Sequence, residues 1–211
     1  MFRPLMPAGR FITFEGIEGS GKSTQIRLLA EQIESRGQDV HLLREPGGTA
    51  VGDRVRAILL DAELDDMTDE TEMLLFAASR AQLVRREIRP AMAAGKTVLC
   101  DRFLHSSLAY QGYARGLGRD KVYEANRPAI DGLLPDRVVL LDLAPSVALE
   151  RAKARGNLDR IEAESLTFHQ QVREGFLAEA QLDPTRFLVV SAEGSPEEIH
   201  RAIRAGLEDS S

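Results

Sequence analysis

Phe11-Ile12-Thr13-Phe14-Glu15 followed by Gly16-Ile17-Glu18-Gly19-Ser20-Gly21-Lys22-Ser23-Thr24 is the stretch that decides the architecture. The apolar run at 11–14 reads as a short strand. Beyond the loop, Ile26, Leu29, Ala30 and Ile33 share one face of a helix, with Gly37 where its C-cap falls. Residues 16–23 satisfy G-x-x-x-x-G-K-[ST] in the strand–loop–helix context that pattern requires. Glycine lets the backbone curl so that successive N–H groups converge on phosphate oxygens, and the helix N-terminus adds partial positive charge. The spacing assigns residues 16–24 to a nucleoside triphosphate. Lys22 reaches the β- and γ-phosphates, and the Ser23 hydroxyl sits on Mg²⁺.

Outward from this loop, short apolar runs recur at Val40–Leu43, Thr97–Cys100, Val138–Leu143 and Phe187–Val190. Near-continuous apolarity predicts strands covered on both faces. Helical stretches lie between them: Val51, Val55, Ile58 and Leu59 form one stripe, and Asp69 with Glu72 predicts a capped helix running towards Pro90. Ser195, Pro196 and Glu198 predict the start of the last helix. Alternating strands and helices imply a three-layer α/β domain with a five-stranded parallel sheet. Residues 103–135 read as a helical excursion. Residues 151–164 are densely charged, with Gly156 and Asn157 breaking the helix.

Composition narrows the partners. The 211 residues suit one domain, and a formal charge of -6 argues against a nucleic-acid polymer or an anionic membrane surface. No apolar run is long enough to span a bilayer, and the opening MFRPLMPAGR lacks a signal-peptide core. The single cysteine, Cys100, cannot form an internal disulfide, which points to a cytoplasmic location. One Cys and four scattered His show no spacing for a structural metal.

The loop alone leaves the fate of the γ-phosphate open between a kinase and an ATPase or GTPase switch. The sequence has no [NT]-K-x-D segment for guanine, and the third strand ends in Asp101-Arg102-Phe103 rather than D-x-x-G. An acid and a base thus stand at the ligand-binding edge of the sheet. Arg44-Glu45-Pro46-Gly47-Gly48-Thr49 follows the second strand to the same edge. Phe76 and Arg80, four apart, share a helix face where a ring and a guanidinium could meet a base.

Together, EGIEGSGKS, REPGGT, LLFAASRAQ, DRF, SSLAYQG and RAKARGNLDRIE resemble the thymidylate kinases over essentially the whole chain, most closely the bacterial type. The resemblance implies a P-loop nucleoside triphosphate hydrolase fold, one domain over 1–211 with a lid at about 151–164. It implies transfer of the γ-phosphate of ATP to dTMP, giving dTDP and ADP. Phe76 is then expected to stack on thymine, Arg80 to donate to its carbonyl and Ser107 to face the base, with Gln111 also at the dTMP site. Tyr110 is expected beneath the sugar, and Arg102, with Arg44 nearby, on the acceptor phosphate. Glu18 approaches the 3'-hydroxyl and that phosphate, while Asp101 organises the Mg²⁺ shell with Ser23. Some members carry an arginine where Gly19 stands; others supply the cation from the lid, and this sequence resembles that second type. Arg151, Lys153 and Arg160 are then expected to act on the transferring phosphate and Arg155 to stack on adenine. The family also implies a homodimer. Another nucleoside monophosphate kinase and a P-loop ATPase switch are the alternatives.

Overall fold

The computed structural model describes residues 9–154, 156 and 159–208. In chain order its elements are β1 (Phe11–Glu15), α1 (Lys22–Ser35), β2 (Val40–Arg44), α2 (Ala50–Leu60) and α3 (Asp69–Leu83). A π-helical turn, Val84–Ile88, leads into α4 (Arg89–Ala93), β3 (Thr97–Asp101) and α5 (Leu104–Ser107). A second π-helical segment, Leu108–Ala114, precedes α6 (Arg119–Ile130), β4 (Arg137–Asp142), α7 (Pro145–Lys153), α8 (Leu166–Leu182), β5 (Phe187–Ser191) and α9 (Pro196–Glu208).

The five strands are parallel, in the order β2-β3-β1-β4-β5. The chain places β1 between β3 and β4, so the strand order reverses beside it. A crevice opens there at the carboxyl edge. Phe14 pairs with Asp101, and Arg44 on β2 also pairs with Asp101. That register sets the loops after β1, β2 and β3 side by side at one edge. Two apolar clusters bury the faces of the sheet: Ile12, Phe14 and Leu99 lie in one, Phe11, Val98 and Cys100 in the other.

Three sequence expectations need correction. The edge strands are not covered on both faces: Leu42 of β2 is 52% exposed and Val189 of β5 46% exposed. Only the inner strands have neighbours on both sides, so continuous apolarity overstates burial at an edge. The third helix is capped by Thr68 rather than Asp69; the Thr68 hydroxyl accepts the Thr71 N–H at 3.3 Å, and Asp69 is the first helical residue. That helix also does not reach Pro90 as regular α-helix, because the π-helical turn interrupts it. At the last helix the capping box holds: Glu198 N–H donates to Ser195 Oγ at 3.3 Å and Ser195 N–H to Glu198 Oε2 at 2.8 Å.

Candidate active site

The loop after β1 folds around its own lysine. Lys22 is 5% exposed and its Nζ donates to the carbonyls of Gly16 at 3.1 Å and Ile17 at 2.9 Å. Burial, helped by the Arg102 charge, lowers the Lys22 pKa, so an arriving polyanion gains an ammonium poorly solvated by anything else. Gly19 has φ +79°, and a Cβ there would lie 2.4 Å from the Ala148 carbonyl oxygen. The loop therefore packs against α7 at a distance that no side chain at 19 tolerates, which agrees with the cation being sought elsewhere. Thr24 is exposed at the start of α1.

Beside the loop, Ser23 Oγ donates to Asp101 Oδ2 at 3.0 Å. The exposed Ser23 hydroxyl and the half-buried Asp101 carboxylate supply oxygen ligands that suit a hard divalent cation. No group of three or more His, Cys, Asp or Glu among the described residues could hold a metal without substrate. That set fits Mg²⁺, which takes one or two protein oxygens and completes its shell with phosphates and water.

Arg102 joins the loop to a neighbouring cleft. Its φ is +70°, uncommon for a residue with a Cβ. Buried Glu15 holds the turn in place, accepting the Phe103 N–H at 2.8 Å and the Ser106 hydroxyl at 2.6 Å. The Arg102 guanidinium donates to Gly16 O at 2.9 Å, Ser106 Oγ at 3.2 Å and Glu18 Oε2 at 2.8 Å. It lies 5.2 Å from the Tyr110 ring centroid. Burial works against its charge, but the carboxylates of Glu18 and Asp101 oppose burial and raise its pKa. Burial likewise pushes the Tyr110 phenol up to about 12, so it stays protonated.

The cavity volume of the cleft is about 70 Å³. Of the expected nucleotide residues, Glu18, Phe76, Arg102, Ser107, Tyr110 and Gln111 line it together. Arg80 and Arg44 do not. Arg80 is fully buried beneath the wall: Nε donates to Glu45 Oε2 at 2.8 Å, one terminal nitrogen reaches Ser107 Oγ at 3.1 Å and Asn126, and the other Phe103 O at 2.9 Å. With these partners Arg80 stands behind the cleft wall, bonded to two residues that line it, Ser107 and Glu45. Arg44 is 60% exposed and pairs with Asp53 at 3.7 Å. Arg56 of α2 lines the cleft instead, its guanidinium on Pro46 O at 3.0 Å.

Arg160 does not reach the loop: it donates to Leu59 O at 3.0 Å and Glu72 Oε2 at 2.5 Å, tying the charged segment to α2 and α3. Arg151 is exposed and donates to Ala192 O at 3.3 Å, beyond the end of β5. Arg155 and the Lys153 side chain lie outside the described residues.

Several cleft residues escaped sequence reasoning. Glu45 has its carboxyl raised to about 7 by burial, with Arg80 opposing. Asp159, Glu162 and His169 also line the wall. Glu45 belongs to the quoted REPGGT, and Asp159 and Glu162 to RAKARGNLDRIE, so these three carried a signal. Arg56 and His169 carried none, since α2 and α8 hold other polar residues at similar helical spacing.

This geometry can be set beside known proteins. The family model described as thymidylate kinase matches residues 14–203. The thymidylate kinase of Pelobacter propionicus is 51% identical over 203 residues, covering 93% of this chain and 93% of its own. That of Deinococcus radiodurans is 47% identical over 204 residues, covering 97% and 98%. The crystal structure of thymidylate kinase from Ehrlichia chaffeensis superposes with a TM-score of 0.78 at 32% identity, over 95% of this chain and 100% of that one.

Proposed function

The chain belongs to the thymidylate kinase family, and from that premise we propose how its own residues carry out the transfer of the γ-phosphate of ATP to dTMP. The reading rests above all on Arg102, whose guanidinium spans from a P-loop carbonyl to Glu18 at the mouth of the cleft.

Residues 16–24 hold the triphosphate, with Lys22 turning from the loop carbonyls to the β- and γ-phosphates. Ser23 and Asp101 hold Mg²⁺, which supplies charge neutralisation between the phosphates. Arg102 holds the dTMP phosphate, assisted by Arg56 rather than Arg44. Phe76 stacks on thymine, Tyr110 lies under the deoxyribose, and Ser107 and Gln111 face the base. Arg80 fixes Ser107 from behind. Glu18 orients Arg102 and approaches the sugar and acceptor phosphate.

The acceptor oxygen is already ionised at neutral pH, so positioning and electrostatic stabilisation carry the reaction rather than a general base. One kinase domain over 1–211 acts as the unit, its lid at about 151–164. Arg151 and Lys153 supply lid cations to the transferring phosphate and Arg155 stacks on adenine. Water exclusion by that lid limits ATP hydrolysis.

The free, buried thiol of Cys100 supports a cytoplasmic setting. No helix among the described residues is long and apolar enough to cross a membrane. Ala77, Ala78 and Ala81 of α3 and Ala125 of α6 line a shallow groove, and Leu74 is 56% exposed. That surface supports a homodimer.

ADP release from MgATP, measured with dTMP, dUMP, dCMP, dGMP, AMP and UMP added singly, tests the reading. Strong stimulation by dTMP, weaker by dUMP and little by the others is expected. Stimulation by a different monophosphate would keep the mechanism and overturn the base assignment. ATP turnover indifferent to every monophosphate would overturn the kinase reading.

A further inference from the structure

Gln111 stands between the cleft and a buried carboxylate. Its Nε2 donates to Glu72 Oε1 at 2.8 Å, while its Oε1 is buried without a protein partner. Glu72 is 1% exposed. Its Oε1 also accepts Arg115 Nε at 3.4 Å, and its Oε2 accepts Arg115 at 3.2 Å and Arg160 at 2.5 Å. Burial alone would raise its pKa, but Arg115, Arg160 and Gln111 outweigh burial and hold it below the usual carboxylate range. An ionised carboxylate can only accept. The end of the Gln111 amide that meets it must therefore be the NH₂, which leaves the oxygen for the other side.

We propose that Glu72 is a positioning residue that locks the Gln111 amide by its NH₂ end, so that the amide oxygen is the group left to accept from a base in the cleft. The inference rests on reading the cleft as the dTMP site. Thymine and uracil carry a proton on N3 and can satisfy the orphaned Oε1. Cytosine carries a lone pair at N3, which would face that oxygen acceptor to acceptor. A buried polar group left without its partner is the strongest device a site has for rejecting an analogue. Glu72, which need not touch the nucleotide, thereby sets a base preference. Its grip on Arg160 is a separate task that shares the same carboxylate.

Steady-state kcat/KM for dTMP and for dCMP, measured on the full chain with MgATP, tests this. The ratio of the two does not depend on how much of a preparation is folded. In Glu72→Gln the neutral amide can donate as well as accept, and Gln111 is free to turn over. The dTMP:dCMP ratio is expected to fall by roughly tenfold or more. Arg160→Ala leaves the carboxylate in place and is expected to keep the wild-type ratio, whatever it does to kcat. If Glu72→Gln does not fold, Glu72→Asp takes its place, since a carboxylate drawn back from Gln111 releases the amide and should lower the ratio as well. A wild-type ratio in the folded Glu72 variant, with both activities reduced together, would show a merely structural role. An equal collapse of the ratio in Arg160→Ala would overturn the proposal too. Wild-type enzyme with no preference for dTMP would overturn the underlying site assignment instead.

Discussion

The Arg102 guanidinium lies 2.8 Å from Glu18 Oε2, so a cation and an anion on two different loops close over the junction between the P-loop and the cleft. Arg102 is 15% exposed in its side chain and Glu18 31%. The pair is half-desolvated, and an acceptor phosphate entering the cleft must share Arg102 with Glu18. Arg102→Ala leaves Glu18 without this partner and the phosphate without its cation. We expect kcat/KM for dTMP to fall by about 10²-fold or more, with KM for ATP changed far less. Steady-state kinetics with each substrate varied in turn checks this; equal losses for both substrates would contradict the assignment.

Lys22 bonds to the carbonyls of Gly16 and Ile17, the first of which also accepts from Arg102, so its loss is expected to harm chemistry more than folding. Lys22→Ala should lower turnover by about 10³-fold or more. A variant with an unchanged far-ultraviolet spectrum and over about a tenth of the wild-type rate would remove Lys22 from the mechanism.

Phe76 is half-buried and lines the cleft. Base–aromatic stacking contributes about 1–3 kcal/mol. Phe76→Ala should therefore raise KM for dTMP by roughly tenfold or more, and Phe76→Tyr should restore most of it. Calorimetric titration with dTMP gives the same comparison without turnover.

His105 is 6% exposed and packs edge-on against Phe187 at 4.8 Å between ring centroids. Burial first, then the Arg186 and Arg80 charges, lowers its pKa to about 3. The folded chain therefore holds it neutral while the unfolded chain takes a proton below about 6.5. The stability this neutral ring contributes is present above pH 6.5 and is lost as pH falls towards 3. In His105→Phe the difference in unfolding free energy between pH 7 and pH 4 should be smaller than in wild type. Denaturant unfolding at the two pH values measures that difference; an unchanged difference would show that other groups govern acid stability.

Ser23 and Asp101 present too few oxygens to hold a divalent cation without the nucleotide. Chelation by EDTA should abolish turnover and leave the melting temperature of the substrate-free protein unchanged to within about 2 °C, since nothing bound to the native state is lost. Turnover should return with Mg²⁺ or Mn²⁺. A marked fall in melting temperature on chelation would indicate a structural metal.

The chain order of elements, the phosphate loop and the parallel sheet were legible in the sequence because each is fixed by short-range rules. Glycine spacing, apolar periodicity and capping pairs act over a few residues. Ser195 with Glu198 behaves as its local pattern demands, and the correction at Thr68 moves a helix start by one residue. Six of the eight expected dTMP residues meet at one cleft because they follow strands whose carboxyl ends share an edge.

What sequence alone could not decide is which charged side chain faces which partner. Arg44 and Arg56 are both compatible with the loop after β2, yet only Arg56 lines the cleft, because α2 folds back across Pro46. Arg80 lies at the right helical spacing from Phe76 but sinks beneath the wall onto Glu45, and Arg160 is drawn to Glu72. Backbone conformation depends on neighbours in the chain and can be read from them. A guanidinium several bonds from its Cα settles wherever buried carboxylates and carbonyls most favour its charge, and those come from elements distant in sequence. The sequence thus determined a phosphate-binding kinase fold, and tertiary packing decided which of its cations line the cleft.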